Sequence, residues 1–220
     1  GQIVLSIQPD IVKLDQPQAI RNQAYRLECT SQSVSITGNA PPGLFYGIQT
    51  FKQLLRRCDQ GGLELPLCVI EDWPERELRV LHYDTKHHQD RLPAVKDFIA
   101  RAASFKANAI AWEIEDKFAY QKHPLIGAPG AFTAEQMQEI TAYALKRHVE
   151  IIPIVQGPSH LAFVLKHEKY AHLREDVNNN YMLCPNKEES YALLFSMYDE
   201  LIEATPGARF FHIGTDEPYF

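Results

Sequence analysis

The run His212-Ile213-Gly214-Thr215-Asp216-Glu217 sets two adjacent carboxyls directly after the apolar residues Phe210 and Phe211. Acidic neighbours mostly form a solvated face. Here they close a strand-like segment, RFFHIG, and Gly214 beside them admits close approach to the backbone. Two carboxyls crowded in a partly dry pocket acquire different proton affinities, so one can stay protonated as a general acid while the other is ionised. Cleaving an acetal requires that division of labour, and Asp216 and Glu217 are the candidates for it. His160, in Gln156-Gly157-Pro158-Ser159-His160, follows a second apolar run and a Gly-Pro turn. One reading makes it a structural histidine with a partner for each ring nitrogen. The other is a relay in which Asp116 fixes the tautomer of His160 and His160 tunes Glu217. Trp112, Tyr120, Tyr219 and Phe220 lie nearby in sequence and are either core aromatics or platforms for a sugar face. His82, Asp84, His160 and Asp216 would supply nitrogen and oxygen ligands to a metal-dependent hydrolase, but neither His-x-His nor His-Glu-x-x-His occurs. No metal is expected.

The elements needed to bring these residues together come in two rhythms. Up to residue 72, IVLSI (3–7), YRLECT (25–30) and SVSIT (33–37) alternate with period two, and Ser31-Gln32 makes a tight connection between the last two. PPGLFYGIQTFKQLLRRC then spaces Leu44, Ile48, Phe51, Leu54 and Leu55 for a helix, with Arg56 and Arg57 beside its negative end. Gly61-Gly62 breaks the chain and LPLCVI returns as a strand, giving a small α+β module over 1–74. From 75 to 220 the order is strand, loop, helix, repeated: RVLHYD (79–84) and a helix over 91–106, NAIAWEIED (108–116) and a helix over 133–147, EIIPIV (150–155) and helical segments within 159–204, and finally RFFHIG (209–214). That alternation implies an α/β fold with a parallel sheet. Polar or ionisable residues sit at the carboxyl end of each strand: His82 and Asp84, then Glu113, Glu115 and Asp116, then Gln156, and finally His212, Asp216 and Glu217. This is the habit of a (β/α)8 TIM barrel, and four βα units amount to its first half. A doubly wound sheet is disfavoured because no glycine-rich phosphate turn follows any strand.

With 220 residues, 45% hydrophobic and 10% aromatic, the chain can bury a sizeable core. A net charge of −6 gives no basic footprint, so no nucleic-acid partner is expected. No apolar run reaches the roughly 20 residues of a membrane span, so no membrane partner is expected either. Cys29, Cys58, Cys68 and Cys184 show no C-x-x-C pair and read as small buried thiols, which leaves cytoplasmic, periplasmic and secreted settings open for a soluble chain.

HIGTDE (212–217) is similar to the His-x-Gly-Gly-Asp-Glu signature of glycoside hydrolase family 20. PPGLFYGIQTFKQLL resembles the Gly-x-x-Tyr-Gly-x-Gln-Thr-x-x-Gln-Leu helix of that family's N-terminal domain, and IEDWPERELRVLHYD resembles its entry into the first barrel strand. The three stand in the family's order. ANAIAWEIEDKFAY, VEIIPIVQGPSHLAFVLKHEKYAHLRE and GARFFHIGTDEPYF look most like the hexosaminidase D branch. His87 stands where the better-known branch has the arginine of Asp-x-x-Arg, and Ala111 to Lys117 replace its His-x-His-x-x-Asp-Asp. The resemblance implies exo-hydrolysis of β-linked N-acetylhexosamine, GalNAc or GlcNAc, from an amino-sugar glycan, by substrate-assisted retaining catalysis without a cofactor. It assigns Glu217, Asp216, His160 and Asp116 to catalysis, and Asp84, His87, Glu113 and Glu115 to the substrate. Compared with that family, both ends are expected to be truncated, and a half-barrel is expected to self-associate.

Overall fold

A computed structural model describes residues 1–59 and 61–218. The chain divides into two compact units. One is Gly1–Arg79 with Arg101–Ala107, and the other is Val80–Ala100 with the chain from Asn108 onward.

In the first unit, strand β1 (Gln2–Ile7) and a short helix α1 (Gln18–Arg21) precede the antiparallel pair β2 (Tyr25–Cys29) and β3 (Ser33–Gly38). The long helix α2 (Pro41–Leu54), the two-residue strands β4 (Arg56–Arg57) and β5 (Leu63–Glu64), and strand β6 (Cys68–Asp72) follow. The main sheet has the order β1-β3-β2-β6, with β1 parallel to β3 and β2 antiparallel to both neighbours. Alternation decides the buried face. Tyr25, Leu27 and Cys29 point into the core with Ile36 and Tyr46, against Leu44, Ile48, Phe51 and Leu54 of α2, while Arg26 and Glu28 point outward. Arg56 and Arg57 correct the expectation of a helix running to Cys58. The backbone turns extended at Leu55, and the two arginines pair with Glu64 and Leu63 across the turn that Gly61-Gly62 closes, where Cys58 N–H reaches the Gly62 carbonyl at 3.1 Å. Pro66 has no N–H to give a ladder, and β6 starts two residues after it, at Cys68. The Lys106 ammonium joins this unit through Asp72 (2.8 Å) and the Tyr25 hydroxyl (3.0 Å), so the end of the helix expected over 91–106 clusters here.

The second unit holds β7 (Val80–Asp84), α3 (Leu92–Ser104), β8 (Ala109–Glu113), a 3-10 turn (Glu115–Lys117), α4 (Ala134–Leu145), β9 (Glu150–Ile154), α5 (Ala162–Leu165), a second 3-10 turn (Glu168–Leu173) and α6 (Glu188–Ala204). Strands β7, β8 and β9 are parallel in that order, and their register sets Asp84 level with Glu113, and Glu113 level with Ile154. Thr133 starts α4 with a capping box, accepting from the Gln136 N–H while the Gln136 side chain accepts from the Thr133 N–H. The expected fourth strand over 209–214 does not form a ladder. It joins β9 by one parallel bridge, Ile154 to His212, through His212 N–H to Pro153 O at 3.0 Å and Val155 N–H to His212 O at 3.2 Å. Its start is pinned by an ion pair between Arg209 and buried Glu150, with Nε to Oε2 at 2.9 Å.

Candidate active site

The acidic pair rides on a segment laid against the loop that follows β9. His212 Nδ1 accepts the Gly214 N–H at 3.1 Å, and the Gly157 N–H reaches the Gly214 carbonyl at 2.9 Å. Gly214 has φ +44°, and a Cβ there would stand 2.7 Å from Gln156 Cγ and 3.2 Å from Gln156 Cα. The close approach that its sequence context suggests is therefore made by Gln156, not by a ligand. Beyond it, the Ser159 hydroxyl donates to the Asp216 carbonyl, and the Tyr181 hydroxyl lies 3.2 Å from the Glu217 carbonyl. His160 and Glu217 both occupy the left-handed region, at φ +57° and +50°. Asp10, Lys106, Glu115 and His148 share that region, so the conformation by itself does not mark the site.

Both carboxylates converge on one nitrogen. His160 Nε2 is 3.3 Å from Glu217 Oε2, 3.5 Å from Asp216 Oδ2 and 3.0 Å from the Tyr181 hydroxyl. The Asp216 and Glu217 side chains are 57% and 58% exposed, so the dry pocket expected around them is not built by the described residues. Asp116 is not part of this group. Its carboxylate pairs with Lys117 and, at 3.9 Å, with Lys166, so the structure joins His160 to the acidic pair but not to Asp116.

A second cluster lies at the ends of β7 and β8. The buried Glu113 carboxylate receives the Gln156 amide and stands 3.1 Å from Lys86 Nζ and 3.3 Å from His82 Nε2. Lys86 also reaches Asp84 Oδ2 at 3.5 Å. Against the downward pull of partial burial, Glu113 and Asp84 hold the Lys86 ammonium above its ordinary range. Asp84 is held below its own range: burial pushes it up, but the Lys86 amide and ammonium outweigh that. Glu115, at φ +45°, is pushed up to about 7, first by burial and then by the carboxylates of Asp116 and Glu113, against the opposing charges of Lys86 and Lys117. His87 is exposed. His82, Glu113, Gln156, His212, Thr215 and Asp216 line one cleft of about 650 Å³.

Trp112 and Tyr120 resolve as core residues. Trp112 is fully buried, with its indole N–H on Thr85 Oγ1 at 2.9 Å and its ring against Tyr83 and Phe132, and buried Tyr120 packs edge-on to Phe118. Tyr219 and Phe220 lie outside the described residues. Among the described residues, no three His, Cys, Asp or Glu side chains gather as a cation site. Gln156, read from the sequence as the polar end of the strand over 150–155, does stand at the cleft, whereas sequence reasoning missed Tyr181, Ser159 and Lys86. Ser159 stands next to the histidine for which its segment was noted, and Lys86 lies two residues past Asp84. Tyr181 follows three asparagines in a stretch without periodicity, which gives no signal.

Parallel strands that carry their ionisable side chains at the carboxyl ends, with the site in the following loops, are the arrangement of a (β/α)8-barrel enzyme. Residues 77–220 match the model of glycosyl hydrolase family 20, catalytic domain, and residues 2–73 match that family's domain 2. The chain belongs to glycosyl hydrolase family 20. It is 40% identical over 144 residues to hexosaminidase D of Bos taurus, a match covering 65% of this chain and 42% of the relative. A beta-hexosaminidase of Porphyromonas gingivalis is 26% identical over 237 residues, covering 94% of this chain and 30% of that one. The solved structure of the family 20 beta-N-acetylhexosaminidase from Streptomyces coelicolor A3(2) superposes with a TM-score of 0.81 at 28% identity, covering 97% of this chain and 47% of its own. The chain thus spans less than half the length of each of these three relatives.

Proposed function

We propose that this chain carries the catalytic pair of an exo-β-N-acetylhexosaminidase that removes terminal GalNAc or GlcNAc from glycans or glycoconjugates by substrate-assisted retaining hydrolysis. The observation that supports it best is the convergence of Asp216 and Glu217 on His160 Nε2 at the strand ends. In this reading Glu217 protonates the glycosidic oxygen while the substrate's own acetamido oxygen attacks C1, forming an oxazolinium ion and breaking the bond to the leaving group. Asp216 accepts the acetamido N–H and balances the developing positive charge. Glu217, now ionised, takes a proton from the water that opens the ring, so the configuration at C1 is retained. No cofactor enters any of these steps.

Asp84, the exposed last residue of β7, and His87, exposed three residues on, are assigned to the sugar hydroxyls. Glu113 lines the cleft but is committed to Lys86, His82 and Gln156, so in this reading it shapes the wall of the cleft, and Glu115, which does not line that cleft, acts on it only through its charge. Asp116, neutralised by two lysines, is left out of the catalytic unit. The test is release of p-nitrophenol from its β-N-acetylglucosaminide and β-N-acetylgalactosaminide, set beside the plain β-glucoside. The first two should be cleaved and the third should not. Equal or faster turnover of the glucoside would end the substrate-assisted reading, because that sugar has no acetamido group.

A further inference from the structure

We propose that Tyr181 is the positioning residue of the acid–base unit, its phenol joining the His160 ring to the backbone of Glu217. The role rests on the reading above only in naming Glu217 as the acid. A phenol has one proton to give, and the Glu217 carbonyl at 3.2 Å can only accept it. The ionised carboxylates of Glu217 and Asp216 also face Nε2 and can only accept, so we assign the phenol proton to the Glu217 carbonyl and the 3.0 Å contact to an Nε2–H donating to the phenol oxygen. Neutral His160 is therefore the Nε2–H tautomer, and its proton is held by Tyr181 rather than by the more distant Glu217 Oε2 (3.3 Å) or Asp216 Oδ2 (3.5 Å). Among the described residues, Tyr181, Asp216 and Glu217 are the titratable groups facing that nitrogen.

Tyr181 is itself fixed where this bridge needs it. Its carbonyl accepts the N–H of Leu161, the residue after His160, at 3.0 Å, and the Leu183 N–H reaches the Pro158 carbonyl at 2.8 Å, so residues 181–183 run alongside 158–161. The Tyr181 N–H is tied to Asn179 Oδ1 at 2.9 Å, and its ring stands edge-on to the imidazole at 5.0 Å. The two residues it links, His160 and Glu217, are both in left-handed backbone, and the Glu217 carbonyl that Tyr181 holds belongs to the same peptide link as Pro218. Residues before proline favour extended backbone, so a bond to that carbonyl resists the drift of Glu217 away from its φ of +50°.

Loss of the phenol proton has a defined consequence. In Tyr181→Phe the Nε2–H turns to the Glu217 carboxylate, and a hydrogen bond to the ionised form makes the acid give up its proton more readily. The variant should therefore lose about tenfold in kcat on a poor leaving group, with KM within about twofold and the alkaline limb of the pH profile displaced to lower pH, on the usual scale of general-acid effects. Its Tm should stay near that of the unsubstituted protein. A Tyr181→Phe enzyme with an unmoved pH profile and unchanged kcat overturns the proposal. So does a kcat loss accompanied only by a fall in Tm. The second measurement needs no activity: with 15N-histidine labelling, the His160 signals, identified by their absence in His160→Gln, should report Nε2–H at a pH where the ring is neutral, and an Nδ1–H tautomer overturns the bridge. Hexosaminide hydrolysis that is absent altogether would defeat the proposed function, and the tautomer would still decide the bridge.

Discussion

Glu115 carries a carboxyl that burial, with Asp116 and Glu113 alongside, pushes up to about 7, far above an ordinary glutamate. The folded chain therefore holds its proton more tightly than the unfolded chain does. Because the native state binds more protons through the window from about 4.5 to 7, stability falls as pH rises across that window and levels off above it. Glu115→Gln should accordingly be more stable than the parent at pH 8, by on the order of 2 kcal/mol, and the gain should vanish near pH 4. Urea titrations at the two pH values read this directly, and an equal difference at both would show that ionisation is not the cause. Chemistry gives a second residue-scale prediction. Glu217→Gln should slow poor leaving groups by orders of magnitude more than activated aryl ones, since a nitrophenolate hardly needs the proton. Asp216→Asn should slow both alike, because it weakens support of the oxazolinium itself. Matching losses for the two variants across both leaving groups would reject this division of roles. The sequence could bring Asp216 and Glu217 forward as candidates because their type and their place after an apolar run are visible one position at a time. It could not bring Tyr181 forward, because the contacts of that residue reach 21 positions to His160 and 36 to Glu217. Asp116 was expected beside the histidine and pairs instead with its own neighbour Lys117, because charge alone does not say which cation a carboxylate will find.

At the scale of elements, periodicity gave the three parallel strands and the helices α2, α3, α4 and α6, each long enough for several turns of its pattern to repeat. It failed where an edge or a turn decides. Arg56 and Arg57 leave the helix because a glycine pair a few residues on offers a hairpin, and RFFHIG forms a single bridge because it has β9 on one side and no described strand on the other. Trp112 shows a third limit: alternation on β8 sends Trp112 and Glu113 to opposite faces, and the face that becomes core depends on packing by α3 and its neighbours. The joint between β9 and residues 212–217 is a sensitive element of the second unit. Gly214→Ala would meet both the strain of φ +44° and a Cβ 2.7 Å from the Gln156 side chain and 3.2 Å from its backbone. A cost of about 2–3 kcal/mol follows from the two effects together. Since Gln156 also holds Glu113, the variant should lose activity beyond what its lower Tm explains. A Gly214→Ala protein with parental Tm would show that the segment can move aside without penalty.

Over the whole molecule, apolar side chains lie open where a core would normally close over them. In the first unit, edge strand β1 leaves Ile3, Val4, Leu5 and Ile7 exposed, with its backbone donors and acceptors on one side unpaired by any described strand. In the second, edge strand β7 exposes Val80 and Leu81, and α6 carries Tyr191, Phe195 and Ile202 outward beside a groove that includes Leu183, Leu194 and Ile213. Edge strands of this kind recruit further strands, and apolar faces of this kind recruit further apolar surface. The net charge of −6 is too small to keep such surfaces apart at physiological salt, where charges are screened beyond about 8 Å. We therefore expect the 220-residue chain to associate with itself as its concentration rises, with a sedimentation-derived mass above the 25.1 kDa of one copy. A lysine on an edge strand blocks the pairing of that edge, and a charge on an exposed helix face opposes its burial. Leu5→Lys should lower the associated fraction if β1 is the route, and Phe195→Glu should do so if the face of α6 is. Both substitutions fall on exposed positions, so neither should cost more than about 0.5 kcal/mol of stability. A single species of 25.1 kDa at every concentration, in the parent as in both variants, would mean that these surfaces are open without being adhesive.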